Sequence, residues 1–234
     1  MKIAGLQRVS LIDYPGHIAA TVFLAGCNLN CGYCYNRWMI AESTVTEALS
    51  APDFLHWLHT RVGKLDGVCI SGGEPLLNSD LSGFIRSIRE MGYCIKLDTN
   101  GTHPKSLAEL ISDKLLDYVA MDLKAPLNQG YNQIVGCATD ITTIRQSMVL
   151  LRAASVTYEF RTTVCPGLTY ADLQVLAQEV APNEKWFLQP FKPVDTVCEA
   201  SRRLPAMSIP ELFQFTAEIG ARLPYVQVRG EMYE

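Results

Sequence analysis

Three cysteines close together near the N-terminus constrain this chain more than any other feature of its sequence. Cys27, Cys31 and Cys34 are separated by three and then by two residues, in a loop rich in glycine and asparagine. Thiolate ligands select zinc, copper(I) or iron–sulfur clusters over hard cations, and a closed structural zinc site needs four ligands. Because no fourth cysteine or histidine lies nearby in the sequence, the three thiolates suit a 4Fe–4S cluster with one iron open to a ligand that is not protein.

Two simpler interpretations of the three cysteines stay open at this point. In the first, the cysteines form a labile zinc site completed by water. In the second, they are three unrelated thiols. The second interpretation is disfavoured, because three thiols in one polar loop would be prone to oxidation.

The composition is that of a globular protein long enough to bury a full core. The 234 residues are 48% hydrophobic and 19% charged, and a chain of this size predicts one domain. A formal net charge of -4 gives no footprint for nucleic acid. Neither a run of about 18 apolar residues nor a signal-peptide core is visible, so we expect a cytoplasmic protein without a membrane span.

The eight cysteines do not indicate a disulfide framework in a protein of that compartment. Cys69, Cys94 and Cys165 lie inside strand-like runs and are predicted to be small buried hydrophobic residues. Cys137 and Cys198 lie in loop-like sequence, and no role is assigned to them.

Segments with the periodicities of strands and helices alternate along the chain. This alternation predicts right-handed βαβ units and a parallel sheet. Six strands, counted from the one before the cysteine loop, are too few for a closed eight-stranded barrel. We therefore predict the α/β class with an open, partial (β/α)6 TIM-type barrel in a single domain over residues 1–234, with a short N-terminal extension and a C-terminal helix and strand. The predicted strands are 17–24, 67–71, 93–98, 117–122, 157–164, 185–189 and 225–229, and the predicted helices are 46–62, 79–91, 104–114, 141–154, 170–180 and 210–223.

A glycine-rich motif follows the second predicted strand. In barrels of this kind the chemistry lies at the C-terminal ends of the strands, and this end reads Ser71-Gly72-Gly73-Glu74-Pro75. The two glycines let backbone carbonyls approach a ligand closely, and Glu74 offers a carboxylate to an ammonium group. An ordinary strand-to-helix turn is the competing interpretation.

Carboxylates end the third and fourth predicted strands, in the stretches 97–101 (LDTNG) and 121–124 (MDLK). Asp98 and Asp122 on adjacent strand ends would hold a cation or a polar ligand, and Lys124 would offset them or reach a carboxylate. Helix capping is the competing interpretation, and it suits Asn100 better than Asp122.

Polar groups also lie at the fifth and sixth strand ends. Arg161, two residues before Thr163, is costly to bury unless it is paired, so we predict a carboxylate partner inside the barrel. Gln189 and Lys192 follow the sixth strand and would meet a ribose or an adenine. Either strand end would equally form an ordinary structural turn.

Together with Tyr33, which precedes the third cysteine, these motifs resemble the radical S-adenosylmethionine (SAM) superfamily. Over nearly the whole chain they resemble its glycyl-radical-enzyme activases. The stretches 11–16, 97–101, 121–127 and 158–164 are similar in particular to the activating proteins of anaerobic ribonucleoside-triphosphate reductases. The resemblance implies that Cys27, Cys31 and Cys34 bind three irons of a 4Fe–4S cluster and that SAM chelates the fourth iron.

The resemblance also implies a SAM pocket and a monovalent cation. The glycine-glycine-glutamate segment would bind the SAM amino group, and Asp98, Thr99 and Asp122 match positions that hold a monovalent cation beside SAM in related activases. Pyruvate formate-lyase activase has a ribose-contacting histidine in the stretch that corresponds to 189–192. This chain has no histidine there and so departs from the pattern of that activase. The candidate cofactor contacts are Tyr33, Gly72, Gly73, Glu74, Asp98, Asn100, Asp122, Lys124, Thr163, Gln189 and Lys192.

The implied reaction is the reductive cleavage of SAM, with an electron from flavodoxin or ferredoxin, to methionine and a 5′-deoxyadenosyl radical. That radical would remove a hydrogen atom from the Cα of a glycine in the partner reductase. A second hypothesis keeps this chemistry but changes the substrate to another glycyl radical enzyme, a peptide or a small molecule such as a deazapurine precursor. A third hypothesis, a non-enzymatic zinc- or cluster-bearing binding protein, does not explain Glu74, Asp98 and Asp122 at strand ends.

Overall fold

The computed structural model describes residues 1–230, so residues 231–234 of the predicted domain lie outside the described part. The residues cluster into two compact units. Unit 1 comprises Met1–Asn28, Trp38–Ala120 and Thr142–Thr157, and unit 2 comprises Leu29–Arg37, Met121–Ile141 and the chain from Tyr158 onward. The assignment of the whole chain to a single domain stays a prediction.

Strands and helices alternate along most of residues 1–230. The strands are β1 (Ile3–Ser10), β2 (Ala19–Leu24), β3 (Gly67–Gly72), β4 (Cys94–Thr99), β5 (Tyr118–Asp122), β6 (Thr157–Val164), β7 (Trp186–Pro190) and β8 (Val226–Val228). The helices are α1 (Ala51–His59), α2 (Leu81–Glu90), α3 (Pro104–Ser112), α4 (Tyr131–Val135), α5 (Ile141–Ala153), α6 (Tyr170–Glu179), α7 (Glu199–Arg202) and α8 (Ile209–Ile219). Within the same residues, no helix combines the length and the apolar character needed to cross a membrane.

Unit 1 is built on the strands β1 to β4, in which each strand pairs with the next one along the chain. β1 is antiparallel to β2, while β2, β3 and β4 are parallel. Residues 67–70 of β3 are all buried, as expected for a parallel strand that is covered on both faces. Helix α2 buries Leu81, Phe84, Ile85 and Ile88, a spacing that places four apolar side chains on one helical face.

The N-terminal residues form an edge strand of eight residues, β1, where the sequence predicted only a short N-terminal extension before the strand 17–24. Most of β1 is exposed or half-buried, so it lacks the apolar alternation by which strands are recognised. The turn that follows is firmly built, because Ser10 Oγ accepts hydrogen bonds from the backbone of Ile12 and Asp13. Tyr14 is buried with its ring 4.2 Å from that of His17.

Tyr14 closes the end of unit 1 at which the parallel strands begin. A Cβ atom on Gly67, the first residue of β3, would lie 2.9 Å from the Tyr14 ring and 2.8 Å from the carbonyl oxygen of Cys94. Glycine is therefore required at this position by the close packing of the tyrosine. The segment 11–16 thus has a structural role in unit 1.

Unit 2 contains the parallel strands β6, β7 and β8. On one face of β6, Glu159 is fully buried and accepts a bidentate hydrogen bond from Arg229 at 2.5 and 2.8 Å. The Arg229 guanidinium also lies 3.3 Å from the centre of the Phe187 ring. The pairing satisfies a carboxylate that would otherwise be costly to bury.

Several predicted helices and strands are present in the structure but begin or end at residues other than the predicted ones. The predicted helix 46–62 begins only at Ala51 in the structure, and Pro52 lies in the first turn of α1, where the missing N–H is tolerated. Helix α4 falls in a stretch for which no helix is predicted, and Gly136 ends it with a φ of 71°. A five-residue helix offers too short a pattern to be recognised from periodicity.

The cysteines outside the N-terminal loop largely follow the prediction. Cys69 and Cys165 are fully buried, whereas Cys94 at the start of β4 is half-buried. Burial raises the pKa of the Cys165 thiol to about 12, so this residue is a neutral hydrophobic side chain at physiological pH.

Candidate active site

In unit 1 the residues just before the first cysteine of the loop are held by the glycine-rich motif at the end of β3. The backbone N–H of Gly73 donates to Leu24 at 2.8 Å, and that of Glu74 donates to Gly26 at 2.8 Å. Cys27 itself donates its backbone N–H to Ile40 at 2.9 Å. The sequence predicts that the glycines let a ligand approach the backbone. The structure shows that they also let the backbone of residues 24–26 approach closely.

The close approach of these segments explains both glycines. A Cβ atom on Gly73 would lie 2.0 Å from the carbonyl oxygen of Gly26, and one on Gly72 would lie 2.4 Å from Leu24. Gly72 also has a φ of 118°, a conformation that side chains rarely adopt. Substitution at either position would push the start of the cysteine loop away from β3.

Glu74 lies in the interior of unit 1, and both of its carboxylate oxygens accept hydrogen bonds from protein. Oε1 accepts from the backbone of Leu76 at 3.1 Å and from Thr99 Oγ1 at 2.8 Å. Oε2 accepts from the backbone of Asn100 at 2.7 Å, and the residue has no exposed surface. The predicted contact between this carboxylate and a ligand ammonium stays a prediction, and the structure shows that the carboxylate joins the loop after β3 to the loop after β4.

Asn100 joins the same loop to the cysteine segment. Its Nδ2 donates to Asn28 Oδ1 at 3.0 Å, and Asn28 Nδ2 donates to Thr102 Oγ1 at 2.9 Å. The alternative that Asn100 caps a helix is wrong, because α3 begins after His103 and no side chain caps it. Asn28 and Thr102 were missed from the sequence, since neither belongs to a motif with a chemical signature.

Asp98, predicted to be a cation or ligand contact, forms an ion pair with Lys96 on the same strand. Its other oxygen accepts a hydrogen bond from Ser71 Oγ at 3.0 Å. Thr99 Oγ1, besides donating to Glu74, accepts a hydrogen bond from the backbone of Gly101 at 3.1 Å. Lys96 was not singled out from the sequence.

In unit 2 the remaining cysteines lie on a tightly hydrogen-bonded turn. Cys34 donates its backbone N–H to Cys31 at 3.2 Å, and the carbonyl of Cys31 also accepts from Arg37 at 3.1 Å. The backbone of Cys198 donates to Gly32 at 3.1 Å, which gives the previously unassigned Cys198 a supporting place. Burial raises the pKa of the Cys31 thiol, and the Lys124 ammonium partly opposes this.

Asp122 at the end of β5 is paired with two cationic side chains. Oδ2 accepts from Lys124 Nζ at 3.1 Å, and Oδ1 accepts from Arg161 Nε at 3.0 Å. The prediction that Arg161 has a carboxylate partner is therefore confirmed. Burial lowers the pKa of Lys124, but Asp122 outweighs it and the pKa is raised, so this ammonium keeps its charge at neutral pH.

The other candidate contacts of unit 2 lie on or after β6 and β7. Thr163 and Gln189 are half-buried register partners on these strands. The backbone N–H of Lys192 donates to Tyr35 Oη at 2.8 Å, and the Tyr35 ring stacks on Phe191. Tyr35 was missed from the sequence, although its place directly after the last cysteine was a signal.

Tyr33, the aromatic residue between the second and third cysteines, is buried in unit 2. Burial raises the pKa of its phenol, so the hydroxyl is neutral and remains a hydrogen-bond donor. It therefore contributes a neutral side chain to the surroundings of Cys31.

The donor set suits an iron–sulfur cluster. Cys27, Cys31 and Cys34 are thiols on one continuous stretch of chain, and iron–sulfur clusters are held by cysteine thiolates. Among residues 1–230, no three histidine, cysteine, aspartate or glutamate side chains are arranged to hold a single metal ion. The fit therefore rests on the chemistry and sequence spacing of the three thiols.

Comparison with known proteins gives the same family as the cysteine spacing. The sequence profile of the radical SAM superfamily matches residues 21–180. A protein of Methanocaldococcus jannaschii, MJ1227, which is provisionally named a glycyl-radical enzyme activating enzyme, is 36% identical over 213 residues. That alignment covers 87% of this chain and 85% of the relative.

Other similarities cover less of the proteins concerned. The 7-carboxy-7-deazaguanine synthase of Methanospirillum hungatei is 32% identical over 142 residues, which are 57% of this chain and 54% of that one. The crystal structure of Streptococcus suis SuiB bound to S-adenosylmethionine superposes on 91% of this chain and 52% of its own, with 14% identity and a TM-score of 0.70. The likeness to SuiB concerns the fold, and the predicted α/β partial-barrel class is confirmed.

Proposed function

This chain belongs to the radical SAM superfamily, and from that membership we propose that it installs a glycyl radical on an anaerobic ribonucleoside-triphosphate reductase. Radical SAM enzymes use a 4Fe–4S cluster and SAM, and this chain is an enzyme of that kind. The similarity to MJ1227, over most of the length of both proteins, carries the step to a glycyl-radical-enzyme activase. The choice of the anaerobic reductase as the partner rests on the resemblance of the stretches 11–16, 97–101, 121–127 and 158–164 to its activating proteins.

Cys27, Cys31 and Cys34 would hold the cluster through their thiolates. When bound, the cluster and SAM supply a 5′-deoxyadenosyl radical by reductive cleavage of the SAM C5′–S bond, with an electron from flavodoxin or ferredoxin. The backbone hydrogen bonds of Cys27 in unit 1 and of Cys31 and Cys34 in unit 2 hold the loop in place. The chain's contribution is to fix these ligands before the cofactors bind.

Several residues would bind and orient SAM rather than take part in bond breaking. Lys124 carries a charged ammonium and would meet the SAM carboxylate, while backbone carbonyls of the Gly72–Gly73 segment would accept from its amino group. Glu74 would act through the protein, because its carboxylate holds the two loops together. Thr163, Gln189 and Lys192 would contact the ribose and adenine of SAM, and the backbone of Lys192 is held by its hydrogen bond to Tyr35.

The remaining features of the proposal concern context. The activity would reside in one domain over residues 1–234 and in the cytoplasm, where the reductase and its electron donor would be found. The substrate hydrogen would be on the Cα of a glycine in a loop of the partner protein.

The decisive experiment reconstitutes the cluster under anaerobic conditions and adds SAM, reduced flavodoxin and the reductase from the same organism. We expect a glycyl radical signal by electron paramagnetic resonance, together with 5′-deoxyadenosine. A reductase in which the radical-bearing glycine is replaced by alanine, and a Cys31→Ala activase, serve as controls that should both give no radical. 5′-Deoxyadenosine formed without any glycyl radical would contradict the choice of partner.

A second candidate function is the synthesis of a deazapurine. It is favoured by the similarity to the Methanospirillum hungatei 7-carboxy-7-deazaguanine synthase, which covers just over half of each chain. The same anaerobic assay separates the two functions when a deazapurine precursor replaces the reductase. Formation of 5′-deoxyadenosine that depends on the precursor would favour this candidate.

A further inference from the structure

A lysine and an aspartate on β4 form an ion pair inside unit 1. Side chains two residues apart on a strand point to the same face, so Lys96 and Asp98 lie next to each other. The Lys96 ammonium contacts Asp98 Oδ1, and its side chain is only 2% exposed. The ammonium also lies 3.6 Å from Cys69 Sγ, across from it on β3. A lysine this deeply buried is stable only when it is paired.

The atoms of unit 1 that resemble cation ligands are therefore already engaged. Asp98 Oδ1 forms an ion pair with the Lys96 ammonium, and Asp98 Oδ2 accepts a hydrogen bond from Ser71 Oγ at 3.0 Å. Thr99 Oγ1 donates to Glu74 at 2.8 Å and accepts from Gly101 at 3.1 Å. A metal cation at this place would have to displace an ammonium that is tethered to the same strand.

The third residue that resembles a cation ligand is Asp122 in unit 2, and both of its carboxylate oxygens are also already paired. Lys124 and Arg161 each contact one of its oxygens, at 3.1 and 3.0 Å. The residues present thus do not fit the monovalent cation that the resemblance to other activases implies.

We infer that Lys96 replaces the monovalent cation, because its ammonium neutralises and positions Asp98 as a built-in counter-ion. Lys96 is accordingly a positioning residue that acts through Asp98. SAM binding by this chain then does not depend on potassium or sodium ions. Unlike a dissolved cation, the tethered ammonium is present at any salt composition.

The first test measures thermal unfolding of the protein without its cofactors in potassium, ammonium or choline chloride at equal ionic strength. The wild-type melting temperature should agree among the three salts to about 1 °C. In choline chloride the Lys96→Met variant should melt about 10 °C lower, because it leaves the half-buried Asp98 carboxylate without its cationic partner. Potassium or ammonium ions should restore part of this loss, whereas choline is too large to do so.

The second test measures SAM binding to the cluster-loaded protein by equilibrium dialysis in the same salts. The dissociation constant of the wild type should differ by less than about twofold between potassium and choline, and that of Lys96→Met by about tenfold. Arg86→Met is the matched control, because it breaks an ion pair of unit 1 that is half exposed on both sides, and it should respond to no salt. If Lys96→Met does not fold, Lys96→Met/Asp98→Asn removes both charges and should fold without any response to the cation.

Two results would overturn the inference. One is a wild-type protein whose melting temperature or SAM affinity rises specifically with potassium. The other is a Lys96→Met variant that is destabilised equally in every salt, since this would leave Lys96 only a structural role. Neither measurement needs a partner protein, so both outcomes are independent of the proposed activase function.

Discussion

The two units hold the carboxylates of the candidate site in contrasting ways. In unit 1, Glu74 is fully buried and accepts from three protein donors, while Asp98 is 15% exposed and its partner Lys96 is 2% exposed. In unit 2, Asp122 is 29% exposed, with Lys124 at 18% exposure. The difference indicates that Glu74 of unit 1 holds two loops together, whereas Asp122 and Lys124 of unit 2 keep part of their surface in contact with solvent.

The largest effect is expected in unit 1, for Glu74→Ala. The change leaves two backbone N–H groups and the Thr99 hydroxyl without their acceptor, and it should lower the free energy of unfolding by about 4 kcal/mol. Urea denaturation of the protein without cofactors measures this value. Glu47→Ala, an exposed glutamate of the same unit, is the control and should be neutral. A loss below about 1 kcal/mol would remove the contrast between the units.

A smaller effect is expected for Arg161→Met in unit 2. Asp122 loses one cation but keeps Lys124 and some contact with water, so the free energy of unfolding should fall by about 2 kcal/mol. Lys124→Met, measured in the same urea series, should cost a similar amount, because Arg161 keeps its contact with the other Asp122 oxygen. If Arg161→Met costs as much as Glu74→Ala, Asp122 is as dependent on its partners as the buried acid.

Salt should distinguish the two ion pairs more sharply than mutation alone. Double-mutant cycles for Lys96 with Asp98 and for Arg161 with Asp122 give two coupling free energies. Raising choline chloride from about 0.05 to 0.5 M should weaken the Arg161–Asp122 coupling, because this half-buried pair stays in partial contact with the salt solution. The Lys96–Asp98 coupling should change less, because Lys96 is almost fully buried, and equal screening of both pairs would contradict the difference in burial.

The smallest effect concerns His103, which follows the loop of unit 1 that holds Glu74. Burial lowers the pKa of its imidazole, which lies 2.9 Å from Thr102 Oγ1. An unfolded histidine has a pKa near 6.5, so the unfolded state takes up the proton first as the pH falls. The stabilising contribution is therefore complete above about pH 6.5 and declines below it.

Urea midpoints measured between about pH 5 and 8 test this pH dependence. The His103→Gln variant should show a shallower decline below about pH 6.5 than the wild type. His59→Gln, at an exposed position of α1, should leave the decline unchanged. A wild-type protein that becomes more stable as the pH falls through this window would reverse the sign and refute the assignment.

The alternation of strands and helices was readable from the sequence because it depends on local periodicity. The predicted range 157–164 coincides with β6, and the ends of the other paired strands moved by few residues. The edge strand β1 escaped prediction because most of its residues are exposed or half-buried, and α4 because it is only five residues long. Burial and length, rather than composition, decided which elements were visible.

The site was readable only in part. The cysteine spacing and the partner of Arg161 follow from rules about single residues, namely which atoms bind iron and which charges need pairing. The engagement of Glu74 by Thr99 and Asn100 could not be read in that way, since the three residues meet only when β3 and β4 lie side by side. A motif names the residues of a site, while their hydrogen-bond partners depend on tertiary structure.

The backbone contact between Gly73 and Gly26 has a practical consequence for handling the enzyme. The segment that starts the cysteine loop is bound to the residues that follow β3 by main-chain hydrogen bonds that need no iron. A preparation bleached by air should therefore keep this part of its scaffold, and iron and sulfide, added without oxygen together with a thiol reductant that regenerates the cysteine thiols, should restore the brown colour without a refolding step.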